Sequence, residues 1–246
     1  MGAIFKREFK SYFTTPIGYV VLAAFYFFLG ILFVNTFSAG APEGPMIIIA
    51  MSTVVVLVLP VLTMRIMSED KRQKVDQALL TAPVKLTSIV MGKFFAALAV
   101  FAIGFIPTII FEIIFIAYVS VNILSFVYAL IGILLLGCVL ISIGMFISSL
   151  TESAAISAII TLLINILVLF NFSSLITVPE AVTPLEKVWS KLVEWFALAL
   201  EKLSFITTFQ KFGENVFSIT DIIYFLSITA VFLFLCVRSL EKRRWA

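Results

Sequence analysis

Six apolar runs, separated by shorter polar segments, dominate the hydrophobic pattern of the chain. A helix that crosses the hydrocarbon core of a bilayer needs about 20 apolar residues. Runs of that length lie near residues 17–37, 46–66, 94–118, 123–148, 153–171 and 219–238. The pattern therefore predicts an all-α membrane protein in which residues 1–246 form one domain with six transmembrane helices. A cleaved signal peptide is not predicted, because the first run is about twice the usual apolar length.

Two further segments carry apolar side chains at helical spacing without being apolar enough to span. Residues 2–13 set aromatic side chains against Lys6, Arg7 and Lys10, which is typical of a helix lying among lipid headgroups. Residues 184–204 repeat apolar positions and include Trp189 and Trp195, and Trp concentrates at membrane interfaces. We expect an N-terminal interfacial helix and one or two outer-face helices between spans 5 and 6.

The composition agrees with a membrane location and narrows the chemistry. Of the 246 residues, 62% are hydrophobic and 13% are charged, against about 25% charged in soluble domains. The net charge of +3 is too small to indicate nucleic-acid binding. Histidine is absent, which removes the commonest metal ligand and the commonest acid or base near neutral pH. Cys138 and Cys236 lie in apolar runs and are interpreted as small buried side chains.

The distribution of positive charge sets the predicted orientation. Most of the 17 Lys and Arg residues lie at the two termini and in the segment 65–93. With six spans these three regions face the same side, and cytoplasmic loops are enriched in Lys and Arg. We therefore expect both termini to be cytoplasmic.

The segment 65–93 is the most charged part of the chain. Ser68, followed by Glu69 and Asp70, is a good helix start, because the hydroxyl can cap and the acids favour the positive end of the helix dipole. An apolar stripe that includes Leu79 and Leu80 follows, and the helix should end before Pro83. From the residues alone this helix lies on lipid or docks against another protein, and neither alternative is favoured.

Enzymatic signatures are missing. The pair Gly92-Lys93 is followed by Phe94, and Thr87 stands where a phosphate loop has its first glycine, so the chain should not bind ATP phosphates. The sequence also has no G-x-S-x-G elbow and no converging metal ligands. We expect neither catalysis nor a cofactor in this chain.

Glu112 is the one ionisable residue well inside a predicted span. It follows the inner end of span 3 by about 18 residues, or about 27 Å of helix, which places it near the outer interface. Both a structural or interfacial role and a role lining a pathway stay open. Pro60 and Pro107 are expected to kink their spans.

At segment 65–93 the chain resembles the membrane subunits of ABC-2 type transporters, most closely the gliding-motility-associated permease branch. The residues that stand in the places of the family pattern are Glu69, Asp70, Lys71, Arg72, Gln77, Leu79, Leu80, Thr81, Pro83, Val84, Gly92 and Lys93. The sequence departs from the family pattern at Lys74-Val75, where the family has Gly-Thr, and at Gln77, where it has an acid.

The resemblance implies that residues 68–83 form a coupling helix seated in a cleft of a separate cytosolic ATPase, which binds ATP and Mg²⁺. The contact residues implied are Glu69, Asp70, Lys71, Arg72, Asp76, Gln77, Leu79, Leu80 and Pro83. The Thr151-Glu152 turn would be a second contact, although Ser149 with Glu152 also fits a local capping box. Two copies, or this chain and a related one, would form an export pathway between their first, second and fifth spans in a bacterial plasma membrane.

Two other classes remain as alternatives. An ion-gradient-driven secondary transporter would use carboxylates inside the membrane, for which Glu112 is the candidate. An immunity-type membrane protein would need no ATPase partner. The sequence does not identify a transported substrate.

Overall fold

The computed structural model describes residues 1–40, 43–72, 85–118, 122–169, 205, 208–209, 212 and 218–244. Every regular element in these residues is α-helical, which confirms the predicted all-α fold. The helices are α1 Gly2–Thr14, α2 Pro16–Ser38, α3 Gly44–Thr63, α4 Ser68–Arg72, α5 Leu86–Gly104, α6 Ile106–Tyr118, α7 Ile123–Leu150, α8 Ala154–Leu169 and α9 Ile219–Arg244.

Five of the predicted spans correspond to helical segments that are long and apolar enough to cross a membrane: Pro16–Ser38, Gly44–Arg72, Leu86–Tyr118, Ile123–Leu150 and Ile219–Lys242. The remaining one, predicted near 153–171, corresponds to the shorter apolar helix α8. The outer-face helices predicted in 184–204 lie outside the described residues. The protein is therefore a multi-pass membrane protein.

The N-terminal helix is separate from the first span, as predicted. Thr15 adopts an extended conformation between α1 and α2, and Pro16 begins α2, where its missing N–H is not needed. On α1 the rings of Phe5 and Phe9 stack at 5.8 Å, and Phe9 and Phe13 are 5.2 Å apart. Phe9 and Phe13 also pack against the buried core, so the apolar side of α1 faces the spans, and its position among lipid headgroups stays a prediction.

Span 3 is broken and span 2 is not. The chain turns at Phe105 between α5 and α6, just before Pro107, and the Thr108 hydroxyl donates to the Phe105 carbonyl at 2.7 Å. By contrast, α3 continues past Pro60. The kink expected at Pro107 is present as this turn, whereas α3 stays one continuous helix past Pro60, where Leu59 and Leu62 are buried.

The helix α7 is the centre of the molecule, and it packs against α3, α5, α8 and α9. Two glycines let its neighbours approach closely. A Cβ at Gly137 would lie 2.1 Å from the ring of Phe101, and one at Gly144 would lie 2.3 Å from the hydroxyl of Thr63. The helix α7 therefore packs closely against both α3 and α5, whereas α2 and α9 expose apolar side chains as lipid-facing helices do.

Candidate functional site

The described start of the predicted coupling helix, α4, lies where the ends of several spans meet. Of the contact residues expected from the sequence, Glu69, Asp70, Lys71 and Arg72 belong to α4. Asp76, Gln77, Leu79, Leu80 and Pro83 lie outside the described residues. We call the group formed by α4 with Glu8, Lys93 and Ser148 the α4 junction.

Lys93 on α5 is the hub of the α4 junction. Its side chain is 1% exposed, and its Nζ lies 2.8 Å from Oδ2 of Asp70 and 3.2 Å from Oε1 of Glu8. The same ammonium donates to the Ile66 carbonyl at 2.8 Å. An ammonium has three donors, and a buried one is costly unless it is paired. Lys93 therefore joins α5 to α1, to α4 and to the segment that follows α3.

Gly92 explains why Lys93 can reach α1. A Cβ at Gly92 would lie 2.9 Å from Cγ2 of Ile4 and 3.4 Å from the Met1 carbonyl oxygen, so α1 lies directly on this glycine. The close approach brings Glu8 of α1 within reach of Lys93. The Gly92-Lys93 pair does not belong to a phosphate loop. Its role in the structure is to hold α1 against α5. Sequence reasoning missed the ion pairs, although a lysine leading into an apolar run was a signal.

Ser148 near the end of α7 caps the start of α4. Its fully buried Oγ accepts hydrogen bonds from the backbone N–H groups of Met67 at 3.1 Å and Ser68 at 3.0 Å, and donates to the Met64 carbonyl at 3.1 Å. The prediction that the Ser68 hydroxyl caps this helix is wrong, because that hydroxyl donates back to the Met64 carbonyl. The cap comes from another span, which fixes α4 to α7.

The other charges of α4 have different surroundings. Lys71 is buried and donates to the Ser149 carbonyl at the end of α7. Glu69 pairs with Arg65 at 2.7 Å, and Arg72 is exposed. In this conformation Asp70 and Lys71 therefore hold α4 against the spans, whereas Arg72 faces outward.

Tyr12 adds a second link between α1 and the end of span 2. Its hydroxyl donates to the Leu62 carbonyl at 3.3 Å. Burial raises the pKa of Tyr12 well above its ordinary value, with a smaller contribution from the charge of Glu8. The phenol therefore stays neutral and keeps its proton for this hydrogen bond.

A cleft of about 490 Å³ separates α4 from the turn between α7 and α8. Its lining includes Glu69, Arg72 and Glu152, so the structure brings two segments of the predicted ATPase contact to one surface. The capping box suggested for Ser149 and Glu152 is wrong, because Ser149 lies inside α7 and its hydroxyl donates to the Phe146 carbonyl at 2.7 Å.

A second cavity, of about 360 Å³, lies between α1, α4, α5 and the end of α3. Six charged side chains line it, three of each sign: Arg7, Arg65, Lys93, Glu8, Glu69 and Asp70. These charges pair with one another across the cavity wall. The α4 junction is thus an electrically balanced contact between helices.

Glu112 lies far from the α4 junction, near the other end of span 3. Its side chain is 3% exposed, and neither carboxylate oxygen has a hydrogen-bond partner within the described part of the chain. A Cβ at Gly44, the first residue of α3, would lie 1.8 Å from Oε2 of Glu112 and 3.0 Å from the ring of Phe126. The structure therefore places Glu112 inside the protomer, between α6, α3 and α7.

Comparison with known proteins gives one family match. A family model described as ABC-2 type transporter matches residues 1–206, a range that runs from α1 past α8 and ends before α9. The comparison with curated proteins finds no matching sequence.

Proposed function

The chain belongs to the ABC-2 type transporter family and is a multi-pass ABC transporter permease, and we propose that it is the membrane subunit of an ATP-driven exporter. In this proposal a separate cytosolic ATPase binds ATP and Mg²⁺ and docks on the helix at 68–83. Membrane subunits of this family are not themselves ATPases, which agrees with the missing phosphate loop. The assignment to the gliding-motility-associated branch stays a prediction.

The α4 junction is the observation that carries the proposal. A force applied to a helix outside the bilayer moves the spans only if that helix is fixed to them. The base of α4 is fixed to α7 by Ser148 and to α5 by the Asp70–Lys93 pair. The same lysine also pairs with Glu8 and so links α1 to α4 and α5. If the predicted helix at 68–83 moves, its described start, α4, would therefore displace several helices together, as rigid-element coupling requires.

The docking surface proposed for the ATPase combines three parts. Arg72 and Glu69 line one side of the cleft beside α4, and Glu152 lines the other. The segment that follows Arg72 would add Asp76, Gln77, Leu79, Leu80 and Pro83. Leu79 and Leu80 would supply an apolar anchor, because side chains that are packed into a desolvated pocket at the centre of an interface contribute most to binding.

The assembly and its orientation follow from the same proposal. Two copies of this chain, or this chain and a related one, would pair in a bacterial plasma membrane with both termini in the cytoplasm. The pathway would lie between their first, second and fifth spans. Glu112 would line that pathway only after α3 and α6 separate, since its carboxylate now lies against Gly44.

Co-purification with the ATPase tests the proposal. Replacing Leu79→Asp together with Leu80→Asp should abolish co-purification of the ATPase while the permease still inserts into the membrane, because two carboxylates cannot enter an apolar pocket. The matched control is Lys6→Asp with Lys10→Asp, which adds acids at exposed positions of α1. Unchanged complex formation in the leucine variant would contradict the docking assignment.

An ion-driven transporter is the second candidate, because Glu112 is a buried carboxylate without a partner in the described residues. Such a protein would keep transporting when the ATPase is removed and would stop when the proton gradient is dissipated. The exporter proposed here would stop transporting when the ATPase is removed and would continue when the proton gradient is dissipated.

A further inference from the structure

The helix α8 carries a polar stripe made of Ser157, Thr161 and Asn165. These residues are spaced by four, so they lie on one face of the helix over about 12 Å. All three are 0% exposed. The stripe is uncharged and offers two hydroxyls and one carboxamide, which together can donate and accept hydrogen bonds.

None of these polar groups has a partner within the described part of the chain. The unpaired atoms are Oγ of Ser157, Oγ1 of Thr161, and Oδ1 and Nδ2 of Asn165. Nearby helices contain buried hydroxyls that are paired: Thr63 donates to the Leu59 carbonyl at 3.0 Å, and Ser142 donates to the Val139 carbonyl at 2.7 Å. Because a buried polar atom without a partner loses its hydrogen bonds to water, the closed packing around the stripe is unfavourable.

The polar stripe faces the interior of a single protomer. Among the described helices, α8 packs mainly against α3 and α7. Its opposite face is open, with Ile159, Leu163 and Leu167 all more than half exposed. We call the interface between α8 and the α3–α7 pair the α8 seam. A second copy of the chain cannot reach the stripe while this seam is closed.

The α8 seam should also separate more readily than the contact between α3 and α7. The contact between α3 and α7 is locked by the close approach of Gly144 and Thr63. The helix α8 contains no glycine, and within the described residues no side-chain hydrogen bond joins it to α3 or α7. Among the residues that the structure describes, apolar packing therefore holds the seam closed, against the cost of the unpaired stripe.

We propose that the α8 seam opens during the transport cycle, and that the stripe then lines a hydrated cleft inside one protomer for cargo with uncharged hydrogen-bonding groups. Amide and hydroxyl groups are the chemistry that hydroxyls and a carboxamide recognise. This location differs from the pathway between two copies that the family resemblance implies. The inference rests on the proposed function only for the existence of a transport cycle.

A matched pair of substitutions tests the stripe in the purified permease alone. Thr161→Val removes an unpaired buried hydroxyl at nearly constant volume, so the melting temperature should rise by about 2–4 °C. Thr63→Val removes a paired hydroxyl that is equally buried, so it should give no rise. A lower melting temperature for Thr161→Val than for the unchanged protein would overturn the inference.

Thiol labelling tests the opening of the seam. In a background carrying Cys138→Ala and Cys236→Ala, the variants Thr161→Cys and Asn165→Cys are treated with uncharged 2-hydroxyethyl methanethiosulfonate in membranes that hold the native complex. Thiols react as thiolates, which form only where water reaches them. Labelling should be at least about tenfold faster during ATP turnover than after ATP depletion. The labelling rate of the negatively charged sulfonatoethyl reagent should increase less, because the stripe itself carries no positive charge.

Two control positions define the result. Ser142→Cys lies on α7 at a paired, fully buried position, and Leu163→Cys lies on the open face of α8, 56% exposed. Both should label at the same rate in the two conditions. Equal rates at Thr161→Cys in the two conditions, with the ATPase still bound, would overturn this inference and leave the proposed function standing. If no ATPase binds, the proposed function fails. The melting temperatures of Thr161→Val and Thr63→Val would then still test whether the buried stripe is unpaired.

Discussion

Lys93 shows how one residue can set the geometry of a membrane protein at the point where its helices end. Burying an ammonium is expensive, and the expense is offset only if each donor finds an acceptor. Lys93 finds carboxylates on α1 and α4 and a carbonyl that follows α3. Because those acceptors belong to different segments, satisfying one side chain fixes the relative positions of all of them.

Neutralising Lys93 should therefore destabilise the permease. Lys93→Met keeps most of the side-chain volume but leaves Asp70 partly buried without its cation and leaves Glu8 with Arg7 alone, at a cost of about 3 kcal/mol. The measurement is thermal or denaturant unfolding in detergent. Lys85→Met is the matched control at an exposed position and should change stability by less than about 0.5 kcal/mol.

A double-mutant cycle separates the ion pair from general packing. Asp70→Asn should cost clearly more in the unchanged protein than in Lys93→Met, with a coupling of about 1 kcal/mol or more. Additive effects of the two substitutions would show that Lys93 and Asp70 do not stabilise each other.

At the scale of helices, α4 depends on a cap from a different span. A helix of five residues has few internal hydrogen bonds, and its first N–H groups need external acceptors. Ser148 supplies that acceptor from a position 80 residues further along the chain than Ser68. The start of the predicted coupling helix is thus held against the spans rather than being an independent loop.

Removing the Ser148 hydroxyl should loosen α4 from α7. Ser148→Ala leaves two buried N–H groups without an acceptor, which should lower stability by about 1–3 kcal/mol and speed amide exchange at Met67 and Ser68. Ser142→Ala, on the same helix and equally buried, removes only a bond to its own helix and should cost less. Hydrogen exchange with mass spectrometry measures both variants, and equal protection of 64–72 in the two would refute the cap.

The sequence predicts the helices better than the contacts between them. Apolar runs and the effect of Pro107 depend on local physics, so the spans and a distortion of span 3 at this proline could be predicted from the sequence. Pro60 carries the same local signal, yet packing keeps α3 continuous. The partners of Lys93 and Ser148 are distant in the chain, and no periodicity reports which distant residues will meet. The uncharged stripe on α8 was missed because Ser, Thr and Asn at helical spacing look like ordinary membrane helix residues.

At the scale of the whole molecule, the described fold divides into a closely packed centre and a peripheral part. The α3–α7 pair and the α4 junction are joined by close packing, ion pairs and a shared cap. The helices α2 and α9 expose apolar faces, and α8 is held to the centre by apolar contacts among the described residues. A permease driven through α4 would move its centre as one body and change shape at the α8 seam.

Photo-cross-linking from position 80 in native membranes tests the central claim most directly, because it reports what the segment after α4 contacts without disturbing the contact. A photoreactive amino acid in place of Leu80 should cross-link to a polypeptide that carries a phosphate loop, while the same probe at Lys6 on α1 should not. The α4 junction would then be the link between ATP hydrolysis and the membrane spans. Cross-linking of position 80 to lipid alone would contradict this account and identify the segment as an interfacial helix.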